Sequence, residues 1–160
     1  MTTPINLVDE LVKFIEGVVK EYDLTTKIKG ENKAPSVYAG YLPPEDDDGE
    51  ERLTPQDYPF VIARFVSNTD DFSNGDSVNI RLVIGTYSED EQNGWRDTLN
   101  IATRIKIELK KKQILGAFAL TNQIQVELFE EQLVPFWHAI MDLSFNEPQV
   151  QSETGFDYDN

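Results

Sequence analysis

Val78, Ile80, Leu82 and Ile84 point one way along an extended chain while Asn79 and Arg81 point the other. A run with period two can bury a single apolar face only as a β-strand. The same alternation returns late in the chain. Ile124, Val126 and Leu128 interleave with Gln123, Gln125 and Glu127, and Trp137, Ala139, Met141, Leu143 and Phe145 with Phe136, His138, Ile140, Asp142 and Ser144. Tyr58 to Val66 is apolar on both faces, which predicts an inner strand, and Ser36 to Leu42 reads as a short strand stopped by Pro43 and Pro44. The turn-rich stretch SNTDDFSNGDS joins two of these runs, and a turn near Gln132 to Pro135 joins the last two, so both pairs are predicted antiparallel hairpins.

Two stretches have the helical period instead. Leu7, Val8, Leu11, Phe14, Ile15, Val18, Val19 and Tyr22 make one wide apolar face ending near Asp23, with Thr3 before Pro4, or Asn6, as candidate cap. Trp95, Leu99, Ala102, Ile105 and Leu109 form a stripe in a second helix, about Gln92 to Lys112, with Lys110, Lys111 and Lys112 against its dipole and Gly116 as a stop. Ile105, Ile107 and Leu109 also alternate, but the stripe begins already at Trp95. The expected fold is α+β: a mostly antiparallel sheet of four to five strands packed by two helices, in the order α-β-ββ-α-ββ. Residues 1–150 make one domain; the segment 44–57, PEDDDGEERLTPQD, has Leu53 as its one large apolar residue and is expected to be a mobile acidic loop. Residues 151–160 form an acidic tail expected to be disordered.

Charge narrows function. In 160 residues, 14 Lys and Arg face 29 Asp and Glu, a formal net charge of −15, so the surface as a whole repels phosphate polyanions and predicts no general nucleic-acid binder. There is no cysteine, hence no disulfide, thiol nucleophile or cysteine-ligated zinc, in keeping with a reducing compartment. MTTPINLVDELVKFIEG has neither a basic start nor a continuous apolar run, so no secretory signal is expected, and no run reaches the length of a membrane helix.

The acid-rich corner GTYSEDEQNGWRD is the nearest approach to a metal loop. Counted from Glu89, it offers Glu89, Glu91, Asn93, Gly94 and Asp97, but position twelve is Asn100, which supplies no bidentate carboxylate. A helix start capped by Ser88 or Asp90 accounts for the same acids. His138, the one histidine, faces away from Trp137 and Ala139 on its strand and reads as half-exposed; no serine or threonine sits in a nucleophile motif beside it. No phosphate-binding glycine loop is present. Neither an enzymatic activity nor a cofactor or metal is expected.

The blocks YPFVIARF, VNIRLVIGTYSEDEQNGWRDTLNIATRIKIEL and VELFEEQLVPFWHAIMDLSFNEPQV resemble tail terminator (tail completion) proteins of long-tailed bacteriophages and of prophages in Gram-positive bacteria. The likeness spans roughly Tyr38 to Val150 and rests on short aromatic and acidic blocks, not a single diagnostic motif; the acidic insertion after Pro44 and the tail from Glu153 lie outside it. It implies a structural virion protein, assembled in the host cytoplasm. Copies of the chain would form a ring, commonly a hexamer, that caps the tail tube and joins it to the head connector or head-closure protein. DNA would pass through without specific binding, and no membrane is involved. A head-closure or other neck protein is the neighbouring alternative; an acidic DNA-mimic inhibitor is the alternative of a different class.

A closed ring needs two unlike, complementary faces on every subunit. Tyr87, Arg96, Lys110, Lys111 and Lys112 are the candidate contact residues, with Tyr87 expected to be free because it lies opposite the Val78 to Ile84 set. Asp46, Asp47, Asp48, Glu50, Glu51, Asp70 and Asp71 are the candidate acidic lumen or partner loops. Trp95, leading the helical stripe, is expected in the core.

Overall fold

The computed structural model describes residues 2–44 and 57–147. Helix α1 spans Pro4–Val19, α2 Trp95–Lys112; the strands are β1 Leu24–Thr25, β2 Asn32–Lys33, β3 Ser36–Ala39, β4 Phe60–Asp71, β5 Gly75–Tyr87, β6 Ile114–Leu115, β7 Phe118–Leu128 and β8 Phe136–Glu147. The fold is α+β, as the periodicities require. One sheet has the order β3-β4-β5-β8-β7-β6, antiparallel throughout except for the parallel pair β3–β4, and β1–β2 forms a separate ribbon. Six strands in that sheet exceed the expected four to five, and the ribbon changes the order further. The extra members, β1, β2 and β6, are two residues each, too short to carry any period.

α1 starts where its sequence chemistry puts it. The Thr3 hydroxyl accepts from the Asn6 amide while Asn6 Oδ1 accepts from the Thr3 amide at 2.7 Å, so both suggested caps act together as one capping box, with Pro4 pre-set in the first turn. Leu7, Val8, Leu11, Ile15 and Val19 are buried, each worth about 1.5–3 kcal/mol of transfer free energy. The helix ends at Val19, short of Asp23, and Tyr22 reaches across to donate to the Asn100 carbonyl at 3.4 Å.

Both helices lie on one face of the sheet. There they cover Val61 and Ala63 of β4, the Val78, Ile80, Leu82 and Ile84 set of β5, and Ala139, Met141, Leu143 and Phe145 of β8. The buried stripe of α2 is Thr98, Ile101, Ala102, Ile105 and Leu109; Ala102, Ile105 and Leu109 are as expected, whereas Trp95 and Leu99 are only half-buried. A hydroxyl pair satisfies the polar member of that stripe. Thr98 Oγ1 meets Thr86 Oγ1 at 2.6 Å in the core, and that contact fixes the first turn of α2 against the end of β5. α2 ends at Lys112 as expected, but its cap is Gln113 and not Gly116; Gln113 takes φ 62° and its amide donates to the Leu109 carbonyl at 2.8 Å, while Gly116 serves the turn into β7.

The opposite face carries a second cluster, Leu42, Tyr58, Phe60, Ile62 and Tyr87, joined by Tyr38, Val83 and Phe136. Gly85 sits under it, and a methyl group there would come within 2.5 Å of the Phe60 ring and 2.9 Å of Tyr58. Gly85→Ala is therefore expected to destabilise the protein by about 1–3 kcal/mol through overpacking, read from the urea midpoint at unchanged slope; a neutral result would mean that the aromatic cluster repacks freely.

Candidate functional site

The acid-rich corner between β5 and α2 folds as a spent set of donors and acceptors. Asp90 Oδ1 accepts from the amides of Gln92 and Asn93, both at 3.0 Å, and those bonds hold its carboxyl below the usual carboxylate range. Glu89 accepts the Tyr87 hydroxyl at 2.9 Å. The Trp137 indole donates to the Ser88 carbonyl at 3.0 Å, and Gly94 leaves room for that ring, since a methyl group there would lie 2.4 Å from it. Asp90 thus caps the turn ahead of α2, whereas the helix N-cap itself is Gly94, without a side-chain bond. Among the described residues no group of three or more His, Asp or Glu is arranged to hold a metal ion.

Tyr87 does not stand free. It is buried in the aromatic cluster, 5.6 Å from the Phe136 ring, because the face of β5 opposite the helices is itself covered at this end. Arg96 is exposed, stacks over the Trp95 ring at 4.8 Å and donates from Nε to Asn93 at 3.0 Å, so part of its donor capacity is used at home. Trp95 in turn is half-buried rather than core, with its indole N–H on the Gln92 carbonyl at 2.9 Å.

His138 is buried, not half-exposed. Its Nε2 shares a 2.7 Å hydrogen bond with the Tyr58 hydroxyl, and Phe129 stacks on the ring at 5.2 Å. Burial pushes the imidazole below its ordinary value; burial, with the Asp57 charge, pushes Tyr58 up to about 12. Both groups are neutral near pH 7, and the pair is a polar joint inside an aromatic cluster. Beside it an apolar recess of about 400 Å³ is lined by Tyr41, Phe60, Phe129 and Leu133 among others, and the Arg64 guanidinium, 4.3 Å over the Tyr41 ring, borders it. Nothing in the local sequence singles out this recess, because it is made by segments distant along the chain.

The charged candidates separate into two flanks. Lys110, Lys111 and Lys112 are exposed at the C-terminal end of α2, where Lys111 reaches Glu108 at 3.3 Å. They stand at the carbonyl end of the helix dipole, which their charge offsets. The opposite sign gathers at the β4–β5 turn. Register places Asp70 beside Asp76 and Asp76 beside Glu147, a row of three carboxylates across β4, β5 and β8. Asp71 instead holds the turn, accepting from the amides of Ser73 at 2.7 Å and Asn74 at 3.4 Å. Asp76 and Glu147 are members that patterning missed, since only the pairing of distant strands brings them to Asp70. Asp46, Asp47, Asp48, Glu50 and Glu51, with nearly all of the 44–57 loop, and the 151–160 tail lie outside the described residues.

Between the flanks the uncovered sheet face is polar: Arg81 grips Asp142 at 2.8 and 3.2 Å, and Asn79, Gln125 and Ser144 border the same shallow hollow. No described helix is long and apolar enough to cross a membrane. A scan against known protein-family models finds no match, and a search of curated proteins finds none.

The acidic row gives a pH signature. Burial first, then a hydrogen bond and charge repulsion from Asp76 and charge from Asp70, push Glu147 up to about 7 from an ordinary 4.5. A carboxyl raised in the folded state destabilises the fold as pH climbs from about 4.5 through 7, where the folded protein must lose a proton that the unfolded chain has already shed. Glu147→Gln is expected to raise Tm over the parent increasingly between pH 5 and pH 8; a constant or shrinking difference would show that Glu147 ionises normally.

Proposed function

We propose that this chain is a structural virion protein of a long-tailed bacteriophage: a tail terminator whose copies close into a ring, cap the tail tube and join it to the head connector, with DNA passing through. On this reading the protein carries no enzymatic active site and acts in the virion neck after assembly in the bacterial cytoplasm.

The observation that carries the reading is the segregation of charge onto two different flanks of one domain. The acidic row Asp70, Asp76 and Glu147 sits at the β4–β5 turn, and the run Lys110 to Lys112 lies beyond β8 and β7. Unlike patches that complement each other generate head-to-tail contacts, which close into rings when the rotation per subunit allows. The resemblance of the three aromatic and acidic blocks to tail terminators supplies the biological setting, and a net charge of −15 suits a conduit along which duplex DNA slides without sticking. Against the DNA-mimic alternative, the acidic row lies across one end of the sheet instead of along a helix, and the exposed end of α2 is cationic.

Light scattering over a range of concentrations, with negative-stain images of the same fractions, tests this. Rings of about six copies with a central hole are expected, either free or on added tail-tube ends. A monomer that caps no tube would sink the proposal, and binding to the head connector without tube capping would reassign the chain to head closure.

A further inference from the structure

The two borders of the sheet are stepped in opposite senses. On one side β3 pairs with β4 only over Phe60 to Ala63, and the Gly40 amide closes the pairing on the Ala63 carbonyl. Among the described residues no strand covers the outer side of β4 from Phe65 to Asp70. On the other side β6 pairs with β7 only at Phe118 and Ala119, and the Leu120 amide closes the pairing on the Gln113 carbonyl. No described strand covers the outer side of β7 from Thr121 to Leu128. The register fixes the heights. β3 lies at the Gly85 end of the sheet, and β6 lies at the Glu147 end. Among the described residues, each border is therefore open where the opposite border is filled.

We propose that these steps are the joint between neighbouring copies of this chain: β6 of one copy seats beside β4 of the next, and β3 of that copy seats beside β7 of the first. The inference rests on the ring reading and names the surfaces that would close it. A rotation about an axis running along the strands preserves their direction, so β6 lies parallel to the neighbour's β4 and β3 antiparallel to the neighbour's β7. The side chains match. Ile114 on β6 and Ile107 on α2 are 57 % and 43 % exposed beside the lysine run, while Phe65 and Val66 on β4 are 44 % and 52 % exposed below the acidic row. Apolar surface thus meets apolar surface, and Lys110 to Lys112 meet Asp70 and Asp76. The bulge between Phe65 and Ser67 interrupts β4 as a template for long strands, leaving short lengths that a two-residue strand such as β6 can occupy.

A reciprocal charge reversal tests the joint in the full-length chain. One variant carries Lys110→Glu, Lys111→Glu and Lys112→Glu; the other carries Asp70→Lys and Asp76→Lys. Each alone is expected to raise the concentration for half-assembly at least about tenfold. Mixed in equal amounts, or combined in one chain, they should restore rings, since every contact again pairs opposite signs. The register sets Ile114 level with Thr69, and the parent has no cysteine, so Thr69→Cys with Ile114→Cys in one chain should oxidise to a ladder of cross-linked species ending at the ring. Wild-type rings indifferent to both reversals and refractory to this cross-link would overturn the joint while leaving the ring intact. Disulfide dimers from Ile114→Cys alone would mean a two-fold contact and overturn it as well. A wild-type chain that forms no ring, free or on tube ends, would remove the ring reading and the joint with it.

Discussion

The antiparallel ladder between β5 and β8 is the constraint on which everything else depends. It runs without a break from Asp76 opposite Glu147 to Tyr87 opposite Phe136. Because side chains alternate between faces, one register commits Val78, Ile80, Leu82 and Ile84 of β5 and Ala139, Met141, Leu143 and Phe145 of β8 to the helices together. A slip of one residue would turn Arg81 and Asp142 inward and leave two buried charges against an apolar helix face, at a cost of several kcal/mol per ion. The register is therefore held by burial on one face and by a charged pair on the other. That surface pair is itself worth only about 0.2–1 kcal/mol; its weight lies in what the wrong register would bury.

The two ends of the same ladder have opposite character. At the Tyr87 end the strands finish in aromatic packing, and the chain turns into α2 through fixed contacts: Thr86 to Thr98, Trp137 to the Ser88 carbonyl, and Ser88 to the Pro135 carbonyl at 2.8 Å. That end is saturated. At the Asp76 end the ladder closes on like charges, which add to burial in raising Glu147 and cost stability when it ionises. A fold that selected only for isolated stability would place a lysine in that row, since opposite charges on neighbouring strands are favourable and like charges directly opposite are not.

Much of this was legible wherever a single period ran long enough. The alternations of β5, β7 and β8 predict strands and their inward faces, and α1 shows its face and its cap in plain sequence. What failed was set by contacts between distant segments. Tyr87 looks free from β5 alone, but Leu42, Tyr58 and Phe136 arrive from elsewhere to cover it. His138 looks half-exposed until Tyr58 and Phe129 close over it. Thr98 joins the buried stripe of α2 through its bond to Thr86, and a threonine pair leaves no hydrophobic signal to count. β6 is too short to register at all. The acidic row is the same kind of miss, for Asp70 and Glu147 lie far apart along the chain and meet only through β5.

On the proposed ring these misses bear on function, because a surface that costs stability in the lone domain is one that a neighbouring copy would relieve. On the ring reading, a neighbour's lysines beside Asp70 and Asp76 would favour the ionised form of Glu147 and lower its pKa again. By linkage the same contact would be stronger above pH 7 than below it, since the proton lost by Glu147 on assembly is already absent at high pH. Assembly would also be salt-sensitive, as exposed charges a few ångströms apart are screened by added ions. The lone domain would then remain soluble and self-repelling at a net charge of −15, while the local pairing of unlike flanks sets which surfaces meet. Long-range repulsion opposes random association, and short-range complementarity selects one contact; both follow from where a few charges sit on the sheet.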